Sequence, residues 1–458
     1  MMIPLYSAEQ IREWDAFTIK NEPVTQDALM ERAGTAFVNW FVARFATKEK
    51  IAIVCGKGNN GGDGIVIGRL LKARQYNVSI FRSEDSFDLN PFTVIIDAIF
   101  GSGLSRPAKS DIIKKINSSP ATKVAVDVPS GLSIDTHSGG DIVKADYTVT
   151  FQTPKLAFMF PENAEYVGEM HVVDIGLKND FHPTTKDFYI DSVSIKPRKK
   201  FSHKGDFGRA LLVAGSLGKM GACVLAARAT LRSGAGLLTV HVPKAGYNII
   251  QTSVPEAMAT VDAHEDHFSD AGDASQFTVI GIGPGIGVTS STISGLRKIL
   301  QSNKPTVLDA DALNILSSSR ELMHLVPAGS ILTPHPGEFK RLVGDWKNDF
   351  ERLELQRQLA ARLKSVVVLK GAHTSIAAPD GDVFFNSTGN SGMAKGGSGD
   401  VLTGVLTGLL SQGYSALEAA TIGVFTHGRA GDLAAAKTGQ NAMVAGDLVE
   451  FLGQAFGR

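Results

Sequence analysis

Twice along this chain, short β-branched apolar runs alternate with helix-length stretches, and that alternation leaves few folds open. In the first half, residues 51–55 (IAIVC), 77–81 (NVSIF), 93–100 (TVIIDAIF) and 123–128 (KVAVDV) are strand-like, and DYTVTF and MHVVDIGL follow. Residues 64–73 and 111–117 between them read as helices. Nearly continuous apolar strands separated by helices predict a parallel sheet covered on both faces. Ahead of it, Ser7 stands three residues before Gln10, a capping-box spacing, with Ile11, Trp14 and Phe17 at helical intervals. Residues 25–45 predict a second helix. The polar, basic segment 191–201 (DSVSIKPRKKF) reads as a solvated joint. The alternation then restarts with RALLVAG, GLLTVHV, TVIGIG, TVLDAD, SILTPHP and SVVVLKG, and residues 220–233 predict a helix. A hairpin turning at Asp380 and Gly381 follows, then two long helices after Asp400 and Ser415. The expected fold class is α/β: a doubly wound parallel sheet over residues 1–192 and an α/β/α domain over residues 193–458.

Two domains suit 458 residues, and 43% hydrophobic content supports packed interiors. Lys+Arg and Asp+Glu each number 46, a balance that argues against nucleic acid or a membrane surface as partner. Cys55 and Cys223 lie far apart in apolar runs with no CxxC, so neither a disulfide framework nor a thiolate zinc site is expected. The N-terminus turns charged too early for a secretory signal, and no apolar run reaches membrane-span length. A cytoplasmic protein is expected.

The richest chemistry lies at residues 390–404, NSGMAKGGSGDVLTG. Gly396, Gly397 and Gly399, with Ser398, predict a sharp turn that exposes backbone amides at the start of a buried helix. Open amides and the positive end of the helix dipole suit phosphate. Asp400 stands at the same end, beside whatever hydroxyl would meet that phosphate. An amide nest next to a carboxylate base is the core of a phosphoryl-transfer site. A merely flexible loop would not need an acid and an apolar helix as well.

In the first half, strand 51–55 runs into residues 56–64, GKGNNGGDG. A strand feeding a glycine-rich turn that opens a helix holds phosphates in doubly wound folds. The spacing is not GxGxxG, however, and no acid sits at the ribose position, so a dehydrogenase is disfavoured. Asn59, Asn60 and Asp63 offer more polar groups than phosphate binding needs. Asp97, Asp127 and Ser130 mark further strand ends, which gather at the carboxyl edge of a parallel sheet. Asn60, Asp97 and Ser130 supply hard oxygen donors suited to a small group-one or group-two cation. In the second half KGDFG (residues 204–208) precedes the first strand. With GIGPGIG, TPHPGE with His335, and LKGAHT with Lys370, each at a strand's carboxyl end or an entry loop, it is expected to converge. The prolines flanking His335 fix its backbone, and Lys370 can reach phosphate as a point charge.

VCGKGNNGGDG, DAIFGSGL and DVPSG, in this order behind an amphipathic helix, resemble the NAD(P)H-hydrate epimerase family. The resemblance implies a Rossmann-like domain that epimerises the hydroxyl-bearing ring carbon of hydrated NADH or NADPH and uses potassium. It implies hydrate binding by Asn59, Asn60, Gly61, Gly62 and Asp63, and by Gly101, Ser102, Gly103, Leu104, Ser105, Arg106 and Pro107. Asn60, Asp97 and Ser130 would contact the potassium ion, with Asp127 against the substrate as the base.

KGDFG, TPHPGE, LKGAHT and GNSGMAKGGSGDVLTG resemble the ADP-dependent NAD(P)H-hydrate dehydratases of the ribokinase-like superfamily. That implies nucleotide binding by Lys370, Gly371, Ala372, His373 and Thr374, and by Gly396, Gly397, Ser398 and Gly399. Ala222, Gly285, His335 and Asp400 would hold the hydrate, with Asp400 as base and Mg2+ accompanying ADP. The expected small-molecule partners are the two hydrates and ADP, in a homo-oligomeric enzyme. Two rivals share the loop: a sugar or hydroxymethyl-pyrimidine kinase, which would yield a stable phosphorylated product, and a nucleotide-binding regulator without turnover.

Overall fold

The short first strand β1 (Met2–Pro4) joins the larger of two sheets, and the next six strands form the smaller one. These are β2 (Lys50–Cys55), β3 (Asn77–Arg82), β4 (Val94–Ala98), β5 (Thr122–Val126), β6 (Tyr147–Phe151) and β7 (Glu169–Val173). All pairs are parallel, in the order β3-β2-β4-β5-β6-β7. The computed structural model describes residues 1–104 and 107–457, which divide into two compact units. One holds residues 3–187 and 348–350; the other holds residues 1–2, 188–347 and 351–458.

In the first unit the residue-by-residue alternation of a strand is visible in β2. Ile51, Ile53 and Cys55 pack with the helices Gln26–Val42 and Asn59–Ala73, whereas Ala52 and Val54 pack with Ile113 and Ile116 of helix Asp111–Ser118. Both faces are thus covered, which is why residues 51–55 are apolar throughout and fully buried. The Ser7–Gln10 capping box forms as expected: Ser7 Oγ accepts from Gln10 N at 3.2 Å, and Gln10 Oε1 accepts from Ser7 N at 3.0 Å. One expectation fails. The third helix starts at Asn59, not residue 64, so NNGGDG forms its opening turns. The glycines allow this by close approach: a Cβ on Gly61 would lie 2.0 Å from Gly56 O.

The larger sheet adds β8 (Asp187–Ile190), β9 (Arg209–Val213), β10 (Leu237–Val242), β11 (Met258–Val261), β12 (Val279–Ile282), β13 (Thr306–Leu308), β14 (Ile331–Leu332), β15 (Val366–Leu369), β16 (Ser375–Ala377) and β17 (Val383–Asn386). Its order is β1-β8-β17-β16-β15-β14-β13-β12-β9-β10-β11. Strands β9 to β15 pair in parallel, and the β15-β16-β17 segment is antiparallel. The hairpin turns where expected, with Gly381 at φ 93°. Segment 191–201 carries neither helix nor strand.

KGDFG is not at the carboxyl rim. It is a short 3-10 turn, Lys204–Phe207, entering the amino end of β9. There Ser411 Oγ donates to Phe207 O at 3.2 Å, at the far end of helix Ser398–Ser411 from Asp400. Leading into a strand rather than out of one, the motif faces away from the edge where parallel sheets gather ligands.

Helix Ser398–Ser411 is buried along most of its length and lies close against helix Met220–Arg232. A Cβ on Gly404 would stand 2.2 Å from Ala226 O, and one on Gly408 would stand 2.6 Å from Thr230 O. Gly404→Ala should therefore destabilise this unit by about 2 kcal/mol through overpacking, although alanine alone favours helix by about 1 kcal/mol. Gly453→Ala, on helix Ala445–Phe456 with nothing within 4 Å of the added carbon, should stabilise instead. Urea unfolding of the two variants measures both; equal signs would refute the close-packing account.

Candidate functional sites

In the first unit a cavity of about 520 Å3 opens above the carboxyl ends of the strands. Asn59, Asn60, Asp63, Gly101, Ser102, Gly103 and Asp127 line it, so the expected residues from three separate segments meet there. Gly61 and Gly62 do not line it; they let the helix pack against Gly56 and Met30. Leu104 and Pro107 border a second, more polar cavity of about 270 Å3, which Ser102 and Gly103 also line. Ser105 and Arg106 lie outside the described residues.

Asp127 follows β5 and is held at φ 66°, an uncommon conformation for a residue with a side chain. Its Oδ1 accepts from Thr150 Oγ1 and Phe151 N, both at 3.1 Å, and lies 3.1 Å from Lys155 Nζ. Among the described residues no partner falls on Oδ2. Lys155 is 1% exposed, and its three ammonium protons meet three acceptors: Asp127 Oδ1, Phe151 O at 3.0 Å and Thr153 O at 2.9 Å. Lys155 thus fixes Asp127 and leaves its second oxygen for a ligand.

Two more carboxylates share this cavity. Burial, reinforced by the charge of Asp127, pushes Asp15 up to about 6. Burial also raises Asp63 well above the usual carboxylate range, with Asp127 and Asp15 adding repulsion.

Behind the cavity Asp97 is fully buried at the end of β4. It accepts from Ser130 N at 2.8 Å, Ser130 Oγ at 2.6 Å and Ile99 N at 3.3 Å, and burial pushes its carboxyl up to about 6. Ser130 Oγ also accepts from Phe100 N at 3.0 Å. The Asn60 amide, with its oxygen 2.9 Å from Gly101 N and its nitrogen 3.2 Å from Val126 O, closes the same loop. The three expected cation ligands therefore surround one turn, all buried and all oxygen donors. Among the described residues no cationic side chain is set against Asp97, so a monovalent ion fits this donor set.

In the second unit Gly397 adopts φ 94° as the N-cap of helix Ser398–Ser411, which puts Gly399 and Asp400 in the first turn. Their amides have no acceptor among the described residues, the open helix start that binds anions. A cavity of about 730 Å3 opens onto this turn, and Lys370, Gly371, Ala372, Thr374, Gly396, Ser398, Gly399 and His335 line it. His373 and Gly397 do not. The His373 ring meets Asn386 O at 3.1 Å, and Gly397 faces Leu225 and Ala445.

His335 caps helix Pro336–Val343, with Nδ1 accepting from Gly337 N at 3.0 Å, while its half-exposed ring borders the cavity. A rigid turn and a ligand-facing ring coexist in one residue. His427 Nε2 lies 3.0 Å from Ser398 O, and burial pushes this histidine down to about 4, so the neutral ring donates to that carbonyl. Ala222, in the first turn of helix Met220–Arg232, and Gly285 meet around that helix's N-cap, Lys219, rather than in the larger cavity. Asp400 faces that side: its charge adds to the burial that raises the Cys223 thiol. Burial first, then Asp309, pushes Asp400 up to about 6.

Several functional groups are absent from the sequence reading. Lys155 carried a signal, a lysine four residues beyond a strand end in apolar text (TPKLAF), but its burial and its partner are tertiary facts. Asn386, at the end of β17, and Thr388 and Asn390, in the loop after it, line the cavity of the second unit. Asp309 of TVLDAD lies 2.9 Å from Lys370 Nζ.

Residues 210–453 match the NAD(P)H-hydrate dehydratase family, and residues 26–89 and 81–157 match the family described as YjeF-related protein N-terminus. The bifunctional NAD(P)H-hydrate repair enzyme of Moorella thermoacetica is 36% identical, over 98% of this chain and 96% of that protein. Its counterpart in Escherichia coli is 33% identical, over 98% of this chain and 93% of that protein. Among solved structures, a ribokinase-like superfamily protein from Enterococcus faecalis superposes with a TM-score of 0.52 at 27% identity, covering 60% of this chain and 97% of that one. With both units matched in their expected order, and relatives aligned from end to end, this chain belongs to the bifunctional NAD(P)H-hydrate repair enzymes.

Proposed function

We propose that the two units repair hydrated NADH and NADPH in succession. The first, in a domain we assign to residues 1–192, interconverts the R and S hydrates; the second, in a domain we assign to residues 193–458, dehydrates the S form using ADP as its magnesium complex. One observation carries this reading. In the second unit Lys370 and Gly399 line a cavity large enough for a nucleotide, and Asp400 follows Gly399 in the first turn of the same open helix start.

The chemistry follows from the geometry. Asp400 takes the proton of the hydrate's hydroxyl, whose oxygen attacks the terminal phosphorus of ADP. The bond to the bridging oxygen breaks and AMP departs. Amides of the first helical turn stabilise the charge on the transferring group, a contribution often worth about 3 kcal/mol per donor. Phosphate then leaves the ring carbon while a neighbouring carbon loses a proton, which restores the dihydronicotinamide and releases inorganic phosphate. Phosphate is a far better leaving group than hydroxide. Lys370, Gly371, Ala372 and Thr374 serve the nucleotide, while Ala222, Gly285 and His335 serve the hydrate.

In the first unit Asp127 Oδ2 takes the proton of the substrate hydroxyl as the bond from that carbon to the ring nitrogen breaks, giving an aldehyde and a nitrogen that gains a proton. Reclosure on the other face of the aldehyde returns the proton and inverts the carbon, while Lys155 keeps the carboxylate in place. Asn59, Asp63 and residues 101–103 enclose the ring. A potassium ion held by Asn60, Asp97 and Ser130 would steady negative charge behind the site. A sugar or pyrimidine kinase fits less well, because such a reaction gives no role to the first unit.

Asp400→Asn should abolish dehydration while exchange between R and S forms continues, and Asp127→Ala should do the reverse. Recovery of near-ultraviolet absorbance follows the first reaction, and chromatography of a mixed hydrate sample follows the second. Dehydration at the unaltered rate in Asp400→Asn would dismiss it as the base.

The dehydration rate should also depend on pH with a sign set by Asp400. The carboxylate must be ionised to accept a proton, and its pKa is raised to about 6. The rate should therefore be full above that pH and fall as acid is added through it. A profile flat down to pH 4.5 would contradict this.

A further inference from the structure

The end of β13 holds a charged group that neither proposed reaction step uses. Asp309 is 2% exposed and stands at the N-cap of helix Ala310–Ser318. An aspartate there ordinarily accepts from an amide of the first turn, yet this one makes no side-chain cap. Its carboxylate is turned elsewhere: Oδ1 accepts from Lys370 Nζ at 2.9 Å, and Oδ2 accepts from Thr403 Oγ1 at 2.8 Å. The next residue, Ala310, sits at φ 46°, in the left-handed region that residues with a side chain rarely occupy. An uncapped helix start and an uncommon backbone conformation thus coincide with one re-aimed carboxylate.

What that carboxylate reaches is the site. A Cβ placed on Gly399 would lie 3.5 Å from Lys370 Nζ and 3.7 Å from Asp309 Oδ2, so both charged groups rest against the first turn of the phosphate-facing helix. Thr403, one turn further along that helix, ties Asp309 to it. The next acid near Lys370, Glu338, is 4.0 Å away and already accepts from His335 N at 2.8 Å. With a single short contact, Lys370 has donors left for a ligand.

We infer that Asp309 is a positioning residue for dehydration, fixing the Lys370 ammonium beside Gly399, where the terminal phosphate of the nucleotide arrives. The inference rests on the phosphoryl-transfer reading of this unit. Lysine is a point charge on a flexible stem; without an anchor its head would sample the open cavity. Pairing with a buried carboxylate that is itself tied to the helix holds the charge at one place relative to the amides. The same charge acts on the base. Asp400 is faced by Asp309 at the N-cap and Asp311 in the first turn of helix Ala310–Ser318, by Lys370 from the end of β15, by Cys223 from helix Met220–Arg232, and, through Ser398, by neutral His427. Of the acids, Asp309 contributes most to raising it.

Asp309→Asn preserves shape and removes the charge. In the full chain it should lower kcat for dehydration at least tenfold at pH 7.5. It should also move the acid limb of the kcat profile down by about one pH unit. A carboxylate that only stabilised the fold would lower the melting temperature and leave that limb in place, and such a result would overturn the assignment. Because neutralising one member of a buried pair strains folding, the double variant Asp309→Asn with Lys370→Gln supplies a second reading. If Asp309 acts through Lys370, the double variant should turn over within about twofold of Lys370→Gln alone. A further tenfold drop would overturn the proposal. Absence of dehydration in the unaltered protein would instead refute the phosphoryl-transfer reading itself, and this inference with it.

Discussion

A buried aspartate paired with a buried or half-buried lysine at the carboxyl end of a parallel sheet is the interaction on which both active units depend. In the first unit it is Asp127 with Lys155 at 3.1 Å, and in the second Asp309 with Lys370 at 2.9 Å. A lone carboxylate at such depth would be neutralised by its own desolvation. Burial pushes the neighbouring acids upward, Asp15 and Asp63 in the first unit and Asp400 in the second, and the aspartate of each pair adds repulsion. Sites tuned for proton movement are where such shifts gather.

The same pair serves opposite ends in the two units, and hydrogen-bond inventory explains why. Lys155 has all three protons engaged inside the protein, so it acts only on Asp127, whose Oδ2 remains open to the cavity. Lys370 has one short contact and retains donors, while its partner Asp309 has both oxygens engaged. In the proposed reactions the acid of the first unit meets the ligand with the lysine in support, whereas in the second unit the lysine meets the ligand with the acid in support, and proton transfer falls to Asp400. On that reading one motif serves both an isomerising site without a nucleotide and a group-transfer site built around one.

Much of this arrangement was legible because strands and tight turns are local. Continuous apolar runs bounded by glycine predicted the parallel strands, their polar ends predicted Asp97 and Asp127 at the rim, and the glycine-rich turn predicted Asp400 at a helix start. The Asp380-Gly381 turn and the Ser7–Gln10 cap formed as read, because each depends on residues three or four apart. What escaped depends on neighbours distant in sequence. The helix at Asn59 begins five residues early, since Gly61 tolerates a contact with Gly56 that any side chain would forbid. Strands β1, β8 and β11 are three or four residues long and take their order from the strands beside them, not from an apolar run of their own. KGDFG was placed at the site on motif grounds, yet direction along a strand, not composition, decides which rim a loop occupies. His373 and Gly397 illustrate a finer limit. Both lie within binding motifs, but one side chain turns back to Asn386 and the other position supplies only a left-handed turn.

Asp309 shows how an ordinary local rule can hide a functional group. At the head of a helix an aspartate reads as a cap, and nothing in DAD distinguishes it from many others. The structure shows the cap unmade, the following alanine at positive φ, and the carboxylate shared between a lysine some sixty positions later in the chain and a threonine on the phosphate-facing helix. Each departure alone is minor. Together they indicate that local helix stability gave way to a long-range electrostatic contact, which is the pattern expected where a site, rather than the fold, dictates the geometry.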